Sequence, residues 1–324
     1  MKKQKWAWGV ALAVALLCAA PANASLTTFA TFTGDVDVRT AGWGSVSQSG
    51  TISIAPIPTG STILGVYLYT STFFNATMTG VGATIDGVST GFTSLGSASA
   101  CCTLTAGRAD LTSTQLATDI AAGATNFAIS ETNGNQDGEA LVVVYSNPSI
   151  TATSTVGILD GFSTTTGDNS TISFGSPLDP TASGFFAEMR IGDGFSCCGQ
   201  SSTIAVNGTT ITTNAGNNDD SVDGATAQNG DLITVGDDSD PFSPPLPSYA
   251  DDHERYNLVP EVHTGDTSIG IHTVNPSGDD NIFLEVFHVT GEATIVSGVP
   301  EPGSIFLFST VLAAAALRLR RKKG

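Results

Sequence analysis

Hydrophobic and polar residues form short runs along most of this chain. Runs rich in Val, Ile, Thr and aromatic residues, bounded by Gly, Asn and Asp, are typical of β-strands. The run from Glu139 to Tyr145 is the most hydrophobic of them, and we predict that it forms a central strand. Further strands are predicted at 27–33, 51–55, 62–70, 153–160, 183–191, 202–206 and 281–290.

Two segments carry more specific local signals. Asp86-Gly87 is a favoured turn pair and predicts a hairpin over 81–95. A short helix is predicted over 114–122, with Ser113 as its N-cap. Many short strands separated by turn residues predict an all-β fold, a β-sandwich or jelly roll. A body of about 275 residues is large enough for one large sandwich or two smaller ones.

Both ends of the chain differ from this body. At the N-terminus, three lysines precede an apolar stretch and the small-x-small site Ala22-Asn23-Ala24, which predicts a signal peptide cleaved before Ser25. The predicted organisation has four parts: a signal peptide (1–24), a β-sandwich body (25–195), a β-rich segment with an acidic loop (196–298) and a C-terminal sorting segment (299–324).

The C-terminal segment has three consecutive parts. A Pro-containing motif is followed by an apolar run over 305–317, which as a helix is about 20 Å long and shorter than a bilayer core. A cluster of basic residues ends the chain. The motif is Val299, Pro300, Glu301 and Pro302, and the basic residues are Arg318, Arg320, Arg321, Lys322 and Lys323.

This order of motif, helix and basic cluster resembles the PEP-CTERM sorting signal of Gram-negative bacteria. The resemblance implies that an exosortase-type membrane protease processes the protein after transient insertion in the inner membrane. It also implies export to the cell surface or extracellular matrix, in the company of exopolysaccharide and biofilm production. The motif specifies a location and carries no information about activity.

Charge is distributed very unevenly. The chain has 30 acidic and 12 basic residues, and the residues between the two sorting segments contain no lysine and only Arg39, Arg108, Arg190 and Arg255. The mature protein therefore has a formal charge of about −26, which repels nucleic acid and attracts cations. We exclude nucleic acid as a partner.

Four cysteines remain after signal removal, in two adjacent pairs: Cys101, Cys102, Cys197 and Cys198. In an oxidising exterior we expect disulfides, either two bridges between the pairs or a ring within each pair. Four cysteines are also a zinc ligand set, although the usual two-residue spacer is absent.

The segment from Asn214 to Asp252 is rich in Asp, Asn, Gly and Pro. Hard oxygen donors on Gly-rich loops suit calcium, although the spacing is not that of an EF-hand. The same composition also suits a solvated loop, because these residues favour turns. The candidate calcium ligands are Asp219, Asp220, Asp223, Asp237 and Asp238.

Several segments together resemble an uncharacterised β-rich module of secreted bacterial and archaeal surface proteins. They are an aromatic strand over 63–69, the Arg-x-Asp step at Arg108 and Asp110, the Val-rich strand over 140–145, and the Asp-Gly-Phe sequence at 160–162. The resemblance implies no catalytic residue. We expect Arg108 and Asp110 to form either a structural ion pair or a clamp at the end of a strand, and because arginine is so rare in the body we expect Arg108 to be buried and paired.

No nucleophile elbow, zincin motif or P-loop is present, and we predict that the protein is not an enzyme. Trp43 lies between two glycines, where it either stacks on a sugar or fills the end of a sandwich. The sequence indicates an exported surface or exopolysaccharide-matrix protein with a structural or interaction role. The alternatives are a calcium-dependent carbohydrate-binding module and a secreted hydrolase.

Overall fold

The computed structural model describes residues 25–45, 47–98, 103–163, 165–194, 201–216, 233–275 and 281–298. These residues contain one α-helix, one 3-10 helix (Val259–Glu261) and twenty strands, and every strand pairing is antiparallel. The predicted all-β class is confirmed. The first elements are β1 (Thr27–Gly34), β2 (Val36–Gly44), β3 (Ser49–Ser53), β4 (Thr62–Thr72), β5 (Gly82–Ile85), β6 (Val88–Gly91), β7 (Thr93–Ala98), β8 (Leu104–Asp110), α1 (Gln115–Ala121), β9 (Asn126–Glu131) and β10 (Gln136–Ser146).

The remaining strands follow β10 along the chain and are generally shorter. They are β11 (Ser154–Asp160), β12 (Asn169–Phe174), β13 (Ala187–Gly194), β14 (Ser202–Val206), β15 (Thr209–Ala215), β16 (Ile233–Val235), β17 (Arg255–Asn257), β18 (Ser268–Val274), β19 (Asn281–Thr290) and β20 (Ala293–Gly298).

The strands form four sheets. Sheet A has the order β1-β11-β19-β13-β16, with β17 also paired to β13, and sheet B has the order β2-β10-β4-β8-β7. Sheet C has the order β3-β9-β5-β6, and sheet D has the order β15-β14-β18-β12-β20. Sheets B and C enclose one hydrophobic core and form sandwich 1. Sheets A and D enclose a second core and form sandwich 2.

A third core joins the two sandwiches, because the outer face of sheet B packs on the outer face of sheet A. The sequence of strand β10 explains how one strand contributes to two cores. Leu141 and Val143 point into sandwich 1, whereas Val142 and Val144 point toward sheet A. Successive residues of a strand face opposite sides, so a strand buried on both faces needs a continuous apolar run. The predicted central position of this strand is confirmed, since it lies between β2 and β4.

The hairpin predicted around Asp86-Gly87 is confirmed, since β5 pairs with β6 and both turn residues have positive φ. The predicted helix is confirmed as α1, but its predicted N-cap is wrong. The N-cap is Thr114, whose hydroxyl donates to the carbonyl of Leu111 at 2.6 Å instead of capping the helix. The hydrophobic contacts of Leu116 and Ile120 with the core of sandwich 1 hold the helix in place.

The chain changes sandwich between β10 and β11, at residues 147–153, and β1 belongs to sheet A of sandwich 2. The boundary predicted between residues 195 and 196 therefore falls inside sandwich 2, directly after β13. Strands from both sides of that boundary pair in one sheet, as β13 does with β19.

Candidate functional site: a charged cleft between the sandwiches

A cleft of about 440 Å³ opens where sheets A and B meet. Its walls come from β2, from the strands β13, β17 and β19, and from the loop after β16. The lining residues are Asp37, Arg39, Ala55, Phe186, Glu188, Arg190, Asp238, Arg255 and His288. Three of the four arginines of the body therefore lie at one place.

Strand geometry places these side chains together. Asp37 and Arg39 are two residues apart on β2, as Glu188 and Arg190 are on β13, so each pair faces the same side of its strand. In the register of sheet A, Glu188 lies opposite His288 of β19. The two sheets thus bring acid–arginine pairs from distant parts of the sequence to a common cleft.

Arg190 lies at the base of the cleft, with only 4% of its side chain exposed. It pairs with Glu188 at 2.8 Å and with Asp238 at 2.6 Å, and it donates to the hydroxyl of Thr40 on β2 at 2.8 Å. Burial lowers its pKa, but the two carboxylates outweigh that effect and the pKa is raised. Arg190 is therefore a permanent cation that connects sandwich 2 to sandwich 1.

Arg39 and Asp37 form the wall contributed by sandwich 1. Their side chains pair at 3.0 Å, and the hydroxyl of Tyr145 donates to Asp37 at 2.6 Å. Burial alone would raise the pKa of Asp37, but Arg39 and the Tyr145 hydroxyl outweigh burial and hold that pKa below its ordinary value. Arg39 also approaches Asp238 at 3.8 Å.

Arg255 forms the opposite edge. It pairs with Glu188 at 3.2 Å and donates to the backbone carbonyls of Asp238 and Asp240 at 3.2 and 2.8 Å. Its guanidinium carbon lies 4.7 Å from the ring centre of Phe242, which is 44% exposed. Burial would raise the pKa of Glu188, but Arg190 and Arg255 outweigh it and the pKa is lowered.

His288 lies between the two acidic walls. Its Nδ1 is 3.5 Å from Asp37 Oδ1 and 4.0 Å from Glu188 Oε1, and its ring packs edge-on against Phe186. Burial lowers the pKa of His288 more than the two carboxylates raise it, so the imidazole is neutral at pH 7. A neutral imidazole provides one hydrogen-bond donor and one acceptor.

The predicted calcium ligands are only partly within the described residues. Asp238 lines the cleft, where two arginines pair with its carboxylate, and burial raises its pKa despite them. Asp237 lies in a turn, where it accepts from the backbone N–H of Ser239 at 2.8 Å. Asp219, Asp220 and Asp223 lie outside the described residues. Within the described ranges, no group of three His, Cys, Asp or Glu residues is arranged to hold a metal ion.

Other predicted features also lie outside the described residues. They include Cys101, Cys102, Cys197 and Cys198, the motif Val299 to Pro302, and the basic cluster from Arg318 to Lys323. The disulfides stay a prediction. Within the described ranges, no helix has the length and apolarity needed to cross a membrane.

Trp43 lies within the described residues. It is 1% exposed in the core of sandwich 1, which agrees with the structural rather than the sugar-stacking interpretation.

Of the two roles expected of Arg108 and Asp110, the ion pair between them is wrong. Arg108 of β8 pairs instead with Asp160 at the end of β11, which joins sheet B to sheet A. Asp110 accepts from the backbone N–H of Thr112 at 2.9 Å and so stabilises the turn after β8.

The sequence did not lead us to five of the residues that line the cleft: Asp37, Arg39, Glu188, Arg190 and His288. One pattern in the sequence could have indicated four of these residues. An arginine, rare in this body, follows a carboxylate by two positions both at Asp37 and Arg39 and at Glu188 and Arg190.

Comparisons with solved structures give only weak similarities. N-glycanase F (PNGase F) aligns at 10% identity over 81% of this chain and 99% of its own, with a TM-score of 0.24. A β-porphyranase of glycoside hydrolase family 86 from the human gut bacterium Bacteroides plebeius aligns at 9% identity over 80% of this chain and 37% of its own, with a TM-score of 0.19. TM-scores this low do not establish a shared fold. No curated protein sequence matches this chain.

Comparison with protein families does identify the C-terminal segment. Residues 298–322 match the PEP-CTERM protein-sorting motif, which confirms the resemblance seen in the sequence. Only this end of the chain is matched, so the match determines the route of the protein and leaves the chemistry of the body open. The protein is therefore an exported substrate of an exosortase, marked by a C-terminal PEP-CTERM sorting signal.

Proposed function

We propose that this protein is a cell-surface or exopolysaccharide-matrix component with an interaction role, and that the charged cleft is its saccharide-binding site. The sorting motif at residues 298–322 supports the location. The observation that supports the binding role is the convergence of three arginines, three carboxylates and a neutral imidazole in a cleft of about 440 Å³.

The chemistry of the cleft matches the chemistry of a sugar. Each sugar hydroxyl both donates and accepts, and the cleft presents guanidinium donors beside carboxylate acceptors along both walls. The carbon-bound hydrogens of a sugar ring pack on aromatic faces. Phe186 lines the cleft, and Phe242 lies against Arg255 with almost half of its side chain exposed.

The charges of the cleft also favour a neutral or weakly charged saccharide. Arg39, Arg190 and Arg255 balance Asp37, Glu188 and Asp238, so the cleft has no large excess of either sign. The rest of the mature protein is strongly acidic and repels polyanions. Because ion pairs already hold the side chains in place, binding orders few of them and costs little conformational entropy.

Binding to exopolysaccharide extracted from the native host, measured by isothermal titration calorimetry, tests this function. Phe242→Ala should weaken binding by about tenfold or more, as expected when an exposed aromatic contact is removed. Phe74→Ala is a matched control, because Phe74 is also exposed but packs on Phe73, whereas Phe242 packs on Arg255 at the edge of the cleft. Equal affinity of wild type and Phe242→Ala, or equal loss in both variants, would contradict the proposed site.

The same measurements separate the two alternatives. A calcium-dependent carbohydrate-binding module loses its affinity in chelator and regains it with added calcium. A secreted hydrolase releases shorter saccharides during the titration, which chromatography of the supernatant detects. Binding that withstands chelator and leaves the polysaccharide intact is the result that we expect.

A further inference from the structure

A second site lies where the mature chain begins. Asp168, directly before β12, is 3% exposed, and its Oδ1 accepts from the backbone N–H of Leu26 at 3.2 Å. The hydroxyl of Ser25 donates to the same oxygen. Ser25 is the first residue after the predicted signal peptide, so the first two residues of the predicted mature chain both contact one buried carboxylate.

Hydrogen bonds to strand β18 hold Asp168 in place. Its backbone exchanges hydrogen bonds with Thr273 of β18, with N···O distances of 3.1 and 3.0 Å. The ring Nδ1 of His272 lies 3.1 Å from the Asp168 carbonyl oxygen. On the other side of the chain, the carbonyl of Ser25 packs so closely on Gly161 that a side chain there would overlap it. The start of the mature chain is thus enclosed between β11 and β12.

The carboxylate of Asp168 can accept further hydrogen bonds. Its second oxygen, Oδ2, is buried and has no hydrogen-bond partner within the described ranges, where Asp168 also forms no ion pair. The titratable group beside it is Glu285, a second acid whose pKa burial raises to about 8, so this neighbour supplies no positive charge. Burying a carboxylate without a cation beside it costs folding free energy, and a positive charge at this site would remove that cost.

We propose that signal-peptide cleavage supplies that charge, and that the α-ammonium group of Ser25 binds Asp168 in the mature protein. Hydrolysis of the Ala24–Ser25 peptide bond consumes one water, leaves a carboxylate on Ala24 and frees an amine on Ser25, which takes up a proton at neutral pH. The Ser25 nitrogen is three bonds from its own Oγ and therefore within about 4 Å of it. Since Oγ already contacts Asp168, the ammonium reaches the carboxylate by a small rotation.

The ion pair exists only after cleavage, because an amide nitrogen carries no charge. It therefore couples export to stability: the mature form is more stable than the precursor. The carboxylate raises the pKa of the ammonium above its unfolded value of about 7.7–8.0. A group with a raised folded pKa stabilises the protein fully below its unfolded pKa, and the stabilisation is lost as the pH rises through the folded pKa.

The test compares two forms of the exported chain, one beginning at Ser25 and one that retains Ala24. Both are prepared from fusions that extend to Gly324, and their thermal unfolding is followed at pH 7. We expect the Ser25 form to melt about 2–4 °C higher. The difference should disappear in Asp168→Asn and should persist in Asp179→Asn, a matched control whose carboxylate is exposed and accepts hydrogen bonds from Thr181.

A direct titration keeps the proposal testable if Asp168→Asn does not fold. Reductive methylation with ¹³C-formaldehyde labels the α-amino group, whose NMR shift then reports its pKa in the wild-type protein. A pKa above 8 that falls to the unfolded value in denaturant is expected. A pKa at or below 8 in the folded protein, equal melting of the two forms, or a native mature chain that starts elsewhere than Ser25 would overturn the proposal.

Discussion

At the residue scale, the four arginines of the body contribute most to connecting its parts. Arg108 is typical of them: it pairs with the buried Asp160 of sheet A, and its guanidinium carbon lies 3.4 Å from the ring centre of Phe29. The hydroxyl of Tyr69 donates to the same carboxylate at 3.1 Å. Burial raises the pKa of Asp160 despite these contacts. The attraction of Arg108 therefore offsets part of the free energy that burying this carboxylate costs.

Removing Arg108 should therefore cost more than an ordinary surface change. We expect Arg108→Met to lower the free energy of unfolding by about 3 kcal/mol, because it leaves an uncompensated buried carboxylate. The double variant Arg108→Met, Asp160→Asn should lose less than the sum of the two single variants. Urea unfolding of all four proteins measures this coupling, and strictly additive losses would show that the pair does not interact.

Glu285 predicts a pH dependence. It is fully buried in sandwich 2, where it accepts from the hydroxyl of Ser170 at 3.1 Å, and burial raises its pKa to about 8. The folded protein therefore holds a proton that the unfolded chain releases near pH 4.3. Stability from this group is fully present below that pH and is lost as the pH rises to about 8, by up to about 5 kcal/mol.

Glu285→Gln should flatten this profile, since glutamine keeps the size and polarity of the group without its ionisation. The free energy of unfolding measured by urea at pH 4.5, 6 and 8 gives the comparison. A wild-type stability that does not fall relative to that of Glu285→Gln over this range would contradict the raised pKa.

At the element scale, the packing of β2 on β3 depends on a glycine. A Cβ at Gly50 of β3 would overlap the indole of Trp43 on β2, which fills the core between sheets B and C. Trp43 is also the only tryptophan after residue 24, so in a chain that begins at Ser25 tryptophan fluorescence reports this contact alone.

We expect Gly50→Ala to displace the indole and to destabilise the protein by about 1–3 kcal/mol, the usual cost of overpacking a core. Tryptophan emission should shift to longer wavelength as the ring meets water. Gly175→Ala is the matched control, because a Cβ at that position meets no atom within 4 Å. An unshifted emission maximum in Gly50→Ala would show that Trp43 and β3 are not packed in this way.

At the scale of the whole molecule, the large negative charge remains the dominant property. Calcium at millimolar concentration should raise the Tm more than sodium chloride of equal ionic strength, since an ion at 100 times its Kd stabilises by about 2.7 kcal/mol. Asp219→Ala combined with Asp223→Ala should reduce the difference. If sodium chloride has the same effect as calcium, the acidic loop is only a solvated turn region and general screening explains the stabilisation.

Local patterns were sufficient for the class of fold and for the route of the protein. The continuous apolar run of β10, the Asp86-Gly87 turn and the short helix over 114–122 depend on neighbours in sequence, which a single chain shows directly. The sorting signal is likewise a contiguous segment, and the family comparison found it where its residues predicted it.

The cleft, the partner of Arg108 and the division into two sandwiches depend instead on contacts between residues far apart in sequence. Arg190 and Thr40 are 150 positions apart, and Arg108 and Asp160 are 52 apart. Strand order and register decide such contacts, and a β-strand specifies its own faces but not its neighbours. For that reason the sequence correctly indicated that Arg108 forms an ion pair but assigned it the nearest acid, whereas in the folded chain Arg108 is partly exposed and pairs with the more distant Asp160.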